Sequence, residues 1–169
     1  LEIQFKPYSK EIIRLKNAGD DRESLLVGIN TKLKDISDAV VLSGHIDTVV
    51  ANESKYNTNP YVATISGDKM YGLGIIDMKA YFACILNNIS EIKKLKKPVI
   101  VAISGDEETR LEGVVALTQK MKELNIIPAF TVVGEPTGET VCTSSKSCYE
   151  YQVDVVGKGC HSSAPENGI

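Results

Sequence analysis

Apolar and polar positions alternate along the chain between short apolar runs and stretches with a helical period. Residues 39–43 and 99–104 form near-continuous apolar runs, as a strand buried on both faces requires, and 130–133 is a shorter apolar run that reads as another strand. Between the first two, Phe82, Ile85, Leu86, Ile89, Ile92 and Leu95 keep a helical period over 78–95. Lys93, Lys94, Lys96 and Lys97 suit the negative end of that helix, and Pro98 stops it. Leu111, Val114, Val115, Met121 and Leu124 predict a second helix over 111–124. Residues 1–6 and 24–30 read as further strands, 52–59 as loop, and 61–66 with 69–71 as a hairpin turning at Gly67-Asp68. Strand, helix, strand, helix, strand predicts an α/β fold with a mainly parallel sheet flanked by helices. After a small polar hinge at 143–147, residues 149–156 alternate as a strand with one wet face, the start of a second, α+β domain. The expected boundaries are 1–146 and 147–169, and the second part, at about 20 residues, is too short for a separate core.

Composition narrows the function classes. Of 169 residues, 19 are Lys or Arg and 22 Asp or Glu, a formal charge of −3 with the basic residues scattered, which argues against a nucleic-acid binder. No apolar run reaches the roughly 18–20 residues that span a bilayer, so no membrane helix is expected. Cys84, Cys142, Cys148 and Cys160 form no C-x-x-C pair, so a cysteine zinc site is not expected. Without an apolar leader they read as reduced thiols of a cytoplasmic protein, although a chain starting at Leu1 looks cut at its beginning.

The acids and histidines fall at revealing places. His45 and Asp47 follow the first apolar run, Asp77 enters the first long helix, Asp106, Glu107 and Glu108 follow the run ending at Ser104, and Glu135 follows the one ending at Val133. All therefore lie at carboxyl ends of strands, the rim where open α/β sheets bind ligands. Carboxylates crowded on one rim repel unless a cation neutralises them. Imidazole and carboxylate without thiolate suit zinc, cobalt or manganese. The ligand supply exceeds the three protein ligands of one catalytic zinc and fits two ions sharing a carboxylate. The His45-Ile46-Asp47 spacing lets Asp47 take the second imidazole N–H. In Glu107-Glu108 adjacent side chains diverge, so one can bind metal while the other faces a water.

Other motifs give way on inspection. Gly72-Leu73-Gly74-Ile75-Ile76-Asp77 begins like a dinucleotide fingerprint, but an aspartate replaces its third glycine and it follows a hairpin rather than a buried strand. Gly157-Lys158-Gly159 lacks the earlier glycine and the Ser or Thr of a phosphate loop. His161-Ser162-Ser163 has no orienting acid nearby, and on the residues alone His161 reads as a surface histidine.

Five motifs occur in one order: Ser43-Gly44-His45-Ile46-Asp47-Thr48-Val49, Tyr71-Gly72-Leu73-Gly74-Ile75-Ile76-Asp77-Met78-Lys79, Ser104-Gly105-Asp106-Glu107-Glu108-Thr109, Val133-Gly134-Glu135-Pro136-Thr137 and Gly159-Cys160-His161-Ser162-Ser163-Ala164-Pro165. Over nearly its whole length the chain resembles the acetylornithine deacetylase and succinyl-diaminopimelate desuccinylase family of dinuclear zinc amidohydrolases, with wording nearest the acetylornithine branch. The resemblance implies a zinc-aminopeptidase-like catalytic domain followed by a lid and dimerisation domain. It implies that Asp77 bridges two divalent ions, zinc foremost with cobalt or manganese as alternatives. His45 and Glu135 would complete one site and Glu108 would bind the other ion. Glu107 would be general base and acid, Asp47 would orient His45, and His161 would stabilise the oxyanion across a homodimer interface. Ala80 and Ser147 replace glycines common in the family. The implied reaction is deacylation of a small N-acyl amino acid, N-acetylornithine first, as in arginine biosynthesis. Desuccinylase, aminoacylase or dipeptidase chemistry and a non-catalytic metal-binding remnant are the alternatives. The family's last metal-binding histidine and most of the lid have no counterpart, so an internal fragment, inactive by itself, is expected.

Overall fold

The computed structural model describes residues 1–19, 21–146, 149, 151–154 and 156–168. They fall into two compact units, Leu1–Gly138 and Glu139–Ile169.

The first unit is built on a five-stranded sheet of β1 (Glu11–Lys16), β2 (Glu23–Gly28), β3 (Ile36–His45), β6 (Val99–Ser104) and β7 (Ile126–Val133), in the order β1-β2-β6-β3-β7. Strands β4 (Thr64–Ser66) and β5 (Lys69–Tyr71) form the separate hairpin expected around Gly67. The large sheet is mixed: β3 runs parallel to β6 and β7, while β2 is antiparallel to β1 and β6. All six residues of β6 are buried because the strand lies mid-sheet with packing on both faces. Val99, Val101 and Ile103 point to one face, into a cluster with Phe5, Phe82, Ile85 and Ile89. Ile100 and Ala102 point to the other, with Leu26, Val41, Leu117 and Ile126. Helices α1 (Glu2–Phe5), α2 (Ala80–Asn87) and α3 (Ile89–Ile92) supply residues to the first cluster, and α4 (Glu112–Glu123) to the second. Each β–α–β passage thus leaves the side chains that follow β3, β6 and β7 at one rim.

Three expectations need correction. Residues 1–6 are not a strand but contain α1: only Phe5 is an anchor, fully buried, while Ile3 is exposed. The outer position in the sheet goes instead to β1, whose sequence alternates too weakly to have been read. The helix expected over 78–95 is interrupted at Asn88, whose side-chain amide donates to the carbonyl of Cys84 at 2.9 Å and competes with the backbone ladder. In the second unit, the described residues of 149–156 form no strand. An extended segment needs a partner ladder, and among the described residues of this unit none is offered. The hinge expected at 143–147 and the thiol at 148 reach Ser147 and Cys148, outside the described residues; Cys84, Cys142 and Cys160 are unpaired. Among the described residues no helix is long and apolar enough to cross a membrane.

Candidate metal centre

His45 is the last residue of β3 and is 2% exposed. Its backbone is held by the sheet, where it registers with Ser104 of β6, and its N–H donates to the sulfur of Met78 at 3.4 Å. This contact needs a glycine at 44: a Cβ there would sit 2.4 Å from the Met78 methyl. Met78 is fully buried and turns its neighbour Asp77 outward, half exposed, from non-helical backbone at φ −113°, ψ 96°. The Asp77–Met78 peptide bond is cis. Asp77 reaches His45 Nε2 at 2.9 Å, and Glu135, just past β7, comes within 3.7 Å of the same nitrogen.

Two sets of ligand atoms gather here, each within 4.8 Å of one another: His45, Asp77 and Glu135, and His45, Glu107 and Glu108. One imidazole and four carboxylates is a donor set for a borderline divalent ion and not for a soft one. His45 is common to the two sets, whereas the sequence expectation gives the shared place to Asp77. Asp77 and Glu108 do line one cavity of about 240 Å³, with Thr48, Tyr56 and Leu73.

The electrostatics fit a cation. Burial raises the pKa of Glu107; His45 opposes this, and Glu108, Asp47 and Asp77 add to it. Glu135 is raised for the same reasons, burial first, with His45 lowering it and Asp77, Glu107 and Glu108 raising it. For His45, burial alone would lower the pKa, but the hydrogen bond to Asp77, the charge of Glu135 and the Asp47 carbonyl outweigh it and raise it. The carboxylates that draw a proton onto this imidazole would equally draw a divalent cation.

Asp47 does something the sequence does not announce. Its backbone carbonyl, 3.1 Å from His45 Nδ1, orients the ring, while its carboxylate stands 3.5 Å from that nitrogen. The carboxylate instead accepts the backbone N–H groups of Glu107 and Glu108 at 3.1 and 3.0 Å. Asp106, fully buried, holds the other end of the same turn by accepting from Glu112 and Gly113 at the start of α4, at 3.0 and 2.6 Å. No motif signals either clamp, because their partners are backbone amides and, for Asp47, lie 60 residues away. In D47N one amide would face an NH₂ instead of an oxygen. The expected loss is about 1–3 kcal/mol of stability, read from the denaturant midpoint.

His161 belongs to the second unit. It is exposed, and its Nδ1 pairs with the Ser163 hydroxyl at 2.8 Å and accepts the Ser163 N–H at 3.2 Å.

Residues 41–166 match the family described as peptidase family M20/M25/M40. Acetylornithine deacetylase from Buchnera aphidicola subsp. Schizaphis graminum (strain Sg) is 39% identical over 132 residues, 77% of this chain and 34% of that protein. The enzyme of the same name from Aliivibrio fischeri (strain MJ11) is 36% identical over the same shares, 77% and 34%. Among solved structures, human carnosine dipeptidase 1 aligns with a TM-score of 0.64 at 20% identity, over 78% of this chain and 30% of that one. LapB from Legionella pneumophila aligns with a TM-score of 0.58 at 19% identity, over 80% and 34%. At such identities the structures speak for the fold alone. The chain spans about a third of the length of the curated relatives it matches.

Proposed function

The chain belongs to peptidase family M20/M25/M40, and from that membership we propose that it carries the metal-binding part of an amidohydrolase that removes the acyl group from a small N-acyl amino acid. N-acetylornithine is the proposed substrate, on the strength of relatives named acetylornithine deacetylase at 39% and 36% identity. The observation that carries the reading is the convergence of one buried imidazole and four carboxylates on the rim of the sheet.

In this reading His45, Asp77 and Glu135 would hold one divalent ion, and Asp77 with Glu108 would hold a second, zinc being preferred. Bound ions supply Lewis-acid polarisation of the amide carbonyl and a more acidic water. The residues do the rest. Glu107 takes a proton from the attacking water onto a carboxylate oxygen and later returns it to the departing amine nitrogen. Asp47 anchors the backbone of the turn that presents Glu107 and Glu108. Residues 147–169 begin the proposed lid and dimerisation domain, from which His161 donates to the oxyanion in a homodimer.

The test is metal removal from the full-length polypeptide that carries this sequence, with the present chain expected to turn over little by itself. Dialysis against a chelator is expected to abolish hydrolysis of N-acetylornithine, followed by amine release, and zinc or cobalt to restore it. Hydrolysis that survives verified removal of metal overturns the reading.

A further inference from the structure

Glu135 reaches His45 from β7, the edge strand opposite β1, whose exposed residues give it little packing of its own. On one side the β3 backbone holds it: Ser43 registers with Val133, and the Gly134 N–H donates to the Ser43 carbonyl at 3.1 Å. On the other side stands Tyr81, in the first turn of α2 and four residues beyond Asp77. Its hydroxyl donates to the Val132 carbonyl at 3.1 Å. Its ring lies so close upon Gly134 that a Cβ there would be 2.3–2.6 Å from three ring atoms. The ring in turn meets Phe82 edge-on at 5.7 Å, and Phe82 is buried in the core. One side chain thus ties the segment carrying Asp77 to Val132 and Gly134, which flank Val133, the last residue of β7.

We propose that Tyr81 is a positioning residue that sets the separation of Asp77 and Glu135, and through it the affinity of His45, Asp77 and Glu135 for a divalent cation. The proposal deepens the metal reading above and rests on it. The Tyr81 hydroxyl bonds to the Val132 carbonyl and not to either ligand carboxylate. It acts through backbone, and the tie has two parts that can be removed separately: the hydroxyl on Val132 and the ring on Gly134. Partners that orient metal ligands characteristically change affinity by about 10–100-fold when lost. The hydroxyl alone belongs at the lower end of that range and the whole ring at the upper.

The experiment titrates cobalt(II) into metal-free parent protein, Tyr81→Phe, Tyr81→Leu and a control, Ile89→Val, which trims the same core cluster away from β7. Affinity is read by calorimetry and ligand geometry by the visible cobalt absorption. Tyr81→Phe is expected to weaken binding about 10-fold and Tyr81→Leu further, each with an altered cobalt spectrum. Ile89→Val is expected to lose stability with affinity and spectrum unchanged. Parental affinity and spectrum in both Tyr81 variants overturn the proposal while leaving the metal reading intact. An Ile89→Val shift as large as theirs, or loss of the native fold in Tyr81→Phe by circular dichroism, makes the role merely structural and overturns it as well. A parent that binds no cobalt overturns the metal reading, and this proposal with it.

Discussion

Replacing Glu107 with Gln is expected to lower kcat for an N-acetyl amino acid by roughly 10²–10⁴-fold while cation content and KM hold. The expectation follows from how the side chain is placed. Asp47 fixes its backbone N–H at 3.1 Å, and the same carboxylate fixes Glu108 at 3.0 Å, so the turn stays put when the Glu107 charge is removed. Burial, with the neighbouring Glu108, Asp47 and Asp77, lifts the pKa of Glu107 above the ordinary carboxylate value against the pull of His45. A carboxylate oxygen held there can take the proton of the attacking water. Gln keeps the shape and loses the ability to accept that proton. Steady-state kinetics beside metal analysis of the same preparation checks the prediction. Full activity in E107Q removes Glu107 from the base role, and loss of ions together with activity makes it a ligand instead.

The sequence disclosed the parts of this protein in which one local pattern answers to one physical demand. The apolar runs of β3 and β6 are legible because a strand covered on both faces must be apolar throughout, and α4 because one face of a helix must meet the core. His45, Glu107 and Glu108 are legible because each closes or follows such a run. What stayed hidden depends on contacts between distant segments. The break at Asn88 is decided by a side chain bonding back to the turn before it. The place of Glu107 and Glu108 is decided by Asp47, and that of Glu135 by the backbone of β3 together with Tyr81. His-x-Asp spacing suggests a carboxylate on the imidazole, yet the carbonyl takes that place and frees the carboxylate for two amides. Spacing along a chain fixes which residues arrive together, and it is blind to which of their atoms meet.

Asp77→Ala is expected to weaken cation binding by more than roughly 100-fold, beyond the loss that follows removal of an outer partner, with turnover lost in step. Two facts separate this effect from damage to the fold. Asp77 is about half exposed, while the buried neighbour that anchors the segment is Met78, which the substitution leaves untouched. Asp77 also raises the pKa of both Glu107 and Glu135, so its carboxylate is a source of repulsion in the metal-free protein. Removing it also takes the 2.9 Å partner from the buried His45 Nε2, a cost of about 1–3 kcal/mol that the relieved repulsion offsets only in part. The ligand-free melting temperature is therefore expected to fall modestly, and the response to metal to go. A cation at 100 times its dissociation constant stabilises a binding protein by about 2.7 kcal/mol, and that upward shift should be present in the parent and absent in D77A. Calorimetric stoichiometry then distinguishes the roles open to Asp77. If it bridges, both ions lose their affinity together. If His45 is the shared ligand, as the two gathered sets of side chains have it, one ion persists. Two ions bound with parental affinity would leave Asp77 outside the site altogether.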